Sequence, residues 1–230
     1  MNLMSANLQM MAFYHGISMN SGLSVGDKIP RFTHHYLDIE TAPYPEHFNP
    51  EKPNDKSMIT DVNKMQIITI QTQPIASDTG KPLGDLQVYK SWESSEKDIV
   101  EQFYQKCKNK WFVFVGNNLN YEMRFLIAKF KKYCGIDFDP FDRPTIDVQP
   151  TMVAINYGVF KGYARILGKK GVAANIGTWY NTNNYTAILD YIAKETESFL
   201  DVYSILCESL PLLKPVLERK MNIPDMDDYR

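Results

Sequence analysis

Cysteine is scarce. Cys107, Cys134 and Cys207 are odd in number, widely spaced and never arranged as Cys-x-x-Cys. That argues against a disulfide framework and against a thiolate zinc site. Histidine is almost as sparse: His15, His34, His35 and His47 make no metal-ligand spacing. Neither sign of charge is in excess, with 25 Lys and Arg against 27 Asp and Glu and a net charge of −2. The molecule is not a polycation, so any grip on a polyanion must come from a local basic face or from bound metal. No apolar run approaches the roughly 18 residues of a membrane helix, so no membrane partner is expected. The Met-rich start (Met1, Met4, Met10, Met11, Met19) lacks a basic region followed by a long apolar core, so it is not read as a signal peptide. A reduced, intracellular setting is the expectation.

What is present fits a globular protein of 230 residues, 44% hydrophobic and 23% charged, long enough for one sizeable core. Residues 1–30 show no period and read as an N-terminal arm, 31–220 as the folded domain and 221–230 as a tail. A strand is predicted at 32–37. A Pro-rich, polar loop follows at 42–64. Strands at 66–71 and 86–92, joined by the turn-rich Ser77-Asp78-Thr79-Gly80-Lys81-Pro82, form a predicted hairpin. The 3.6-residue period predicts helices at 94–108, 119–133 and 184–210, the last stopping near Pro211, with shorter ones at 150–168 and up to 220. The continuous apolar run 111–115 suits a strand buried on both faces, and 145–148 is a fifth, short strand. Three early strands followed by strands alternating with helices make an α/β protein with a mixed sheet.

Carboxylates fall where apolar residues are expected. In Tyr36-Leu37-Asp38-Ile39-Glu40-Thr41, residues two apart share a strand face, so Asp38 and Glu40 project together. On its own the pair reads as an ordinary surface feature of a strand end. On the helix at 119–133, Leu119, Met123, Leu126, Phe130 and Tyr133 form one stripe, and Glu122 falls on it as its only charged residue, with Lys131 and Lys132 elsewhere. In the long helix, Ile188, Ile192, Phe199, Tyr203, Leu206 and Leu210 form the inward stripe, and Glu195 interrupts it. One such glutamate is explained by a buried Arg or Lys partner or by a stripe edge that reaches water. Two helices and one strand, each turning an acid inward, point to divalent cations as the shared counter-charge. Tyr191, four residues before Glu195, lies on its face. Lys161-Gly162-Tyr163-Ala164-Arg165 reads first as a solvated helix face and second as a phosphate contact through Lys161 and Arg165.

These residues, in this order, resemble the three motifs of the DEDD 3′–5′ exonucleases, which have an RNase H-like fold. Leu37-Asp38-Ile39-Glu40-Thr41 matches the first motif, Asp-x-Glu. Gly116-Asn117-Asn118-Leu119-Asn120-Tyr121-Glu122 resembles the second, and Tyr191-Ile192-Ala193-Lys194-Glu195 the third, Tyr-x-x-x-Asp, of the tyrosine branch that includes polymerase proofreading domains and RNase D. The second and third motifs end here in Glu where the family carries Asp. The resemblance implies an RNase H-like mixed five-stranded sheet flanked by helices and two divalent cations, Mg²⁺ or Mn²⁺. It implies hydrolysis of single-stranded DNA or RNA from the 3′ end, beside replication or repair proteins. Residue by residue, it implies that Asp38 bridges both metals, Glu40 and Glu195 complete the water-activating site, Glu122 holds the second metal and Tyr191 orients the water. Thr41 then lies near the terminal nucleotide, and Asn117 or Asn118 touches substrate. Asp190 and Asp201 rank below Glu195 as third-motif acids. The longer Glu side chains leave a second outcome open: the same fold, with turnover weakened or lost, binding nucleic acid or a partner protein.

Overall fold

The computed structural model describes residues 33–52, 55, 57–108, 112–139, 144–159 and 175–221. The expected arm at 1–30, the tail beyond 221, and the basic segment with Lys161 and Arg165 lie outside the described residues. Five strands form one sheet: β1 (Thr33–Pro43), β2 (Met65–Ile75), β3 (Gln87–Lys90), β4 (Phe112–Gly116) and β5 (Thr145–Asp147). Their order is β3-β2-β1-β4-β5. β1 runs antiparallel to β2, β2 antiparallel to β3, and β4 lies parallel to both β1 and β5. This is the mixed α/β sheet of an RNase H-like fold, with helices on both faces.

The helices are α1 (Glu96–Cys107), α2 (Leu119–Cys134), α3 (Val148–Ile155), α4 (Ile176–Asn181), α5 (Tyr185–Ser209) and α6 (Lys214–Met221). Ser95 caps α1 by accepting the Asp98 N–H, and Asn184 caps α5 by accepting that of Ala187. Strand alternation divides the core. Leu37, Ile39, Phe112 and Phe114 pack with Ile99 and Phe103 of α1 and with Phe125, Leu126 and Phe130 of α2. On the other face, Tyr36, Val113 and Val115 meet Phe199, Leu200, Tyr203 and Leu206 of α5. A fully buried Phe contributes roughly 1.5–3 kcal/mol by leaving water, so these aromatic layers fix each helix to its face.

Four sequence expectations need correction. β1 does not stop at Leu37: its ladder with β2 continues to Pro43, through an irregularity between Glu40 and Thr41, so both acids lie inside the strand. Val148 begins α3 instead of ending β5. Pro150 falls in that helix's first turn, where a missing N–H costs no bond. Glu122 is not the only charge on the inward stripe of α2, because Lys129, seven residues on, is 1% exposed. At the far end, Leu210 falls in the 3-10 turn Leu210–Leu213 that follows α5 and is exposed.

Candidate metal centre

The site begins where β1 outlasts its neighbour. The parallel ladder with β4 pairs Thr33 to Tyr36 with Phe112 to Val115 and then ends. β4 finishes at Gly116, and the chain turns into α2. Asp38 and Glu40 therefore lie past the carboxyl end of β4, the kind of crevice in which parallel α/β sheets hold ligands. A Cβ on Gly116 would stand 2.7 Å from the Leu37 carbonyl oxygen and 2.5 Å from Leu119 Cδ2. Only glycine lets the start of α2 come this close to the residue preceding Asp38.

β1 turns Tyr36, Asp38 and Glu40 toward the α5 side, opposite to Leu37 and Ile39. From α5 come Glu195, 6% exposed, and Tyr191. One carboxylate oxygen from each of Asp38, Glu40 and Glu195 lies within 4.8 Å of the others. Three carboxylates so close repel one another unless a cation stands among them, and an all-oxygen set of this kind suits a hard divalent ion such as Mg²⁺ or Mn²⁺. The donor set fits the expected metal.

Tyrosine hydroxyls border the acids. Tyr36 donates to Asp38 Oδ2 at 3.3 Å. Burial, and then the charges of Asp38 and Glu195, hold the Tyr36 hydroxyl well above its ordinary range. Tyr191 is pushed up the same way, by burial first and then by Glu40 and Glu195, with which it shares a hydrogen bond. Both phenols stay protonated near neutral pH and act as hydrogen-bonding groups, not bases. Tyr121, half-buried on the first turn of α2, is also raised, by burial first and then by Glu40, Glu122 and Asp38, against the lowering effect of its bond to Thr41.

The acids expected from the strand and the long helix thus meet, and Tyr191 joins them. Glu122 is buried, 4% exposed, in the first turn of α2, but it is not one of the three grouped acids. Thr41 Oγ1 lies 2.6 Å from Tyr121 Oη, tying β1 to α2. Asn117 has a buried side-chain oxygen with no hydrogen-bond partner among the described residues. Asn118 adopts a left-handed conformation (φ 63°), and its N–H is taken by Asp147. Asp190 and Asp201 are exposed. Sequence reasoning missed Tyr36, Tyr121 and Asp147. The first was available from the two-residue alternation with Asp38, and the second from its position beside Glu122. Asp147, in a three-residue strand, carried no periodic signal.

No protein-family model and no curated protein matches the chain. Similar solved structures include exonuclease I in its apo form, at 12% identity and TM-score 0.40, covering 55% of this chain and 31% of that one. They also include E. coli Exonuclease I in complex with a 5cy-dA13 oligonucleotide, at 13% identity and TM-score 0.41, covering 55% and 30%. A product-bound exonuclease I is similar at 12% identity and TM-score 0.39, covering 61% and 33%. The chain therefore spans no more than 33% of the length of any of these three structures.

Proposed function

We propose that the chain is a metal-dependent 3′–5′ exonuclease that hydrolyses terminal phosphodiester bonds of single-stranded DNA or RNA with two divalent cations, Mg²⁺ or Mn²⁺. The observation that carries this reading is the meeting of Asp38, Glu40 and Glu195 within 4.8 Å, from a strand and a helix far apart in sequence, with Tyr191 beside them. When bound, the cations supply the positive charge that activates a water and neutralises the phosphodiester in an in-line displacement.

The chain's own groups do the rest. Asp38, Glu40 and Glu195 would hold the ions, with Glu122, on the first turn of α2 and outside their group, assigned to the second ion. Tyr36 fixes the rotamer of Asp38 through its hydroxyl. Tyr191, kept neutral, orients the attacking water by hydrogen bonding without removing its proton. Thr41, bridged to Tyr121, lies next to Glu40, where the terminal sugar would sit. By charge type alone, Lys161 and Arg165 are the phosphate contacts of this reading. A strand end with unpaired bases is the partner such a site takes, and replication or repair proteins are those it works beside.

A second reading is favoured by one observation: Glu122 stands outside the grouped acids. Each Glu-for-Asp change adds a methylene, something over about 1 Å of reach, and a misplacement of that size can cost about a hundredfold in rate. In this reading the fold binds nucleic acid or a partner protein and leaves ends intact.

Incubating the folded protein with 5′-labelled DNA and RNA oligonucleotides and Mg²⁺ or Mn²⁺ decides between them. The first reading expects a ladder shortening from the 3′ end that is lost on chelation. Binding without shortening in either metal leaves the second reading standing alone, and neither binding nor shortening removes both.

A further inference from the structure

Asp147 is the last residue of β5, paired in the ladder with Gly116 at the end of β4. Its carboxylate accepts three backbone N–H groups: Asn118 at 2.8 Å and Gln149 at 3.0 Å on Oδ1, and Leu119 at 3.0 Å on Oδ2. The bond to Gln149 is an ordinary cap for α3. The other two are not local. They cross from β5 to the start of α2, a helix whose own preceding residue, Asn118, makes no side-chain cap and sits at φ 63°. Asp147 thus does for α2 what a capping residue does from within the chain. It also fills the anion-attracting N-terminus of α2 with a fixed carboxylate, so a substrate phosphate is not drawn there.

Glu122 lies in that same first turn, three residues beyond Leu119. At 1.5 Å of rise per residue the two are about 4.5 Å apart along the axis of a rigid helix, so a shift of the Leu119 amide is passed directly to Glu122. The turn is fastened on its other side to β1 at two points flanking the acids, through the tight approach of Gly116 to Leu37 and through the Tyr121–Thr41 bond. We propose that Asp147 is a positioning residue for the metal centre: by holding the amides of Asn118 and Leu119 it sets where α2 begins and hence how far Glu122 reaches toward Asp38 and Glu40. This rests on the metal-dependent reading of the site. Asp147 itself touches neither ion nor substrate in this role.

The test is titration of the full chain with Mn²⁺ alone, followed by calorimetry, for the parent, Asp147→Asn and the core control Ile99→Val, with melting temperature and end-labelled cleavage measured on the same samples. Asp147→Asn keeps the side chain's size but loses one acceptor oxygen and its charge. Asp147→Ser, which keeps a single capping oxygen, is used if the Asn variant does not fold. The inference expects Mn²⁺ affinity to fall by about tenfold in the Asp147 variant and to stay at the parent value in Ile99→Val, although both melt earlier. An Asp147 variant whose affinity is within about twofold of the parent, or falls only as the control does, overturns it and leaves Asp147 a cap. A parent that binds no Mn²⁺ overturns both this inference and the nuclease reading. A parent that binds Mn²⁺ but cleaves nothing overturns the nuclease reading alone, and the affinity comparison still judges Asp147.

Discussion

Glu96 and Glu195 are both buried glutamates on helices, on opposite faces of one sheet. Glu96, at the start of α1, has its charge fully answered. Lys129 stands 3.0 Å from its Oε1, the Ile67 N–H donates to the same oxygen, and the hydroxyls of Tyr44 and Tyr133 donate to Oε2. Lys129 in turn donates to the carbonyls of Val62 and Met65. Glu195 instead lies among like charges, Asp38 and Glu40, bordered by the phenols of Tyr191 and Tyr36. Residue type and burial are nearly the same. What differs is whether the surrounding chain supplies a counter-charge or gathers more of the same sign. The first arrangement stabilises a fold, and the second invites a cation from outside.

The comparison makes opposite predictions for the two acids. Removing Glu96 with Glu96→Ala strands the Lys129 ammonium in the core and should cost about 3–5 kcal/mol in unfolding free energy, read by denaturant titration. Burial already holds the Lys129 amine below its ordinary range, against the raising effect of Glu96. Asp38→Ala on the other face relieves repulsion, so stability without metal should hold or rise. Cleavage should fall by more than the roughly 100-fold that loss of an outer-sphere partner costs, while oligonucleotide binding survives. A metal-free melting temperature that drops with Asp38→Ala would break the contrast. Tyr191→Phe sharpens it. It deletes one hydroxyl bonded to a charged group, worth about 1.5–3 kcal/mol, and should slow turnover about 10- to 100-fold with the fold intact.

The smallest expected effect concerns His34, half-buried on the α5 side with Nδ1 3.3 Å from Tyr203 Oη. Burial holds its pKa below the ordinary value of 6.5. The unfolded chain then takes up a proton more readily than the folded one, so stability is complete above that value, falls as pH drops through 6.5, and levels off beneath the lowered pKa. Melting temperatures measured from about pH 7.5 down to about pH 5.5 should show a decline that His34→Gln reduces.

Much of this is legible in the sequence. The pairing of Asp38 with Glu40 followed from a two-residue period, and that of Tyr191 with Glu195 from a four-residue one. An acid on an apolar stripe declares itself by its cost. The same logic failed at Lys129, which shares the inward stripe with Glu122. A long aliphatic stem at a helix position reads as solvent-facing until its partner is known, and Glu96 stands 33 residues earlier on a different helix. The separation of Glu122 from the other acids was equally hidden. It depends on where α2 starts, and that is settled by Gly116 and by a carboxylate on a three-residue strand, neither of which leaves a periodic trace.

The Lys129 amine has one more effect. By gripping Tyr44, Val62 and Met65 while the Tyr44 N–H meets the Lys64 carbonyl, it pins the mouth of the segment between β1 and β2. Once the mouth is shut, lengthening the interior adds only a slowly growing entropic penalty. A reporter peptide or dye-labelling tag spliced near the exposed residues Asn49 to Lys52 would ride on a segment whose two ends are already fastened together.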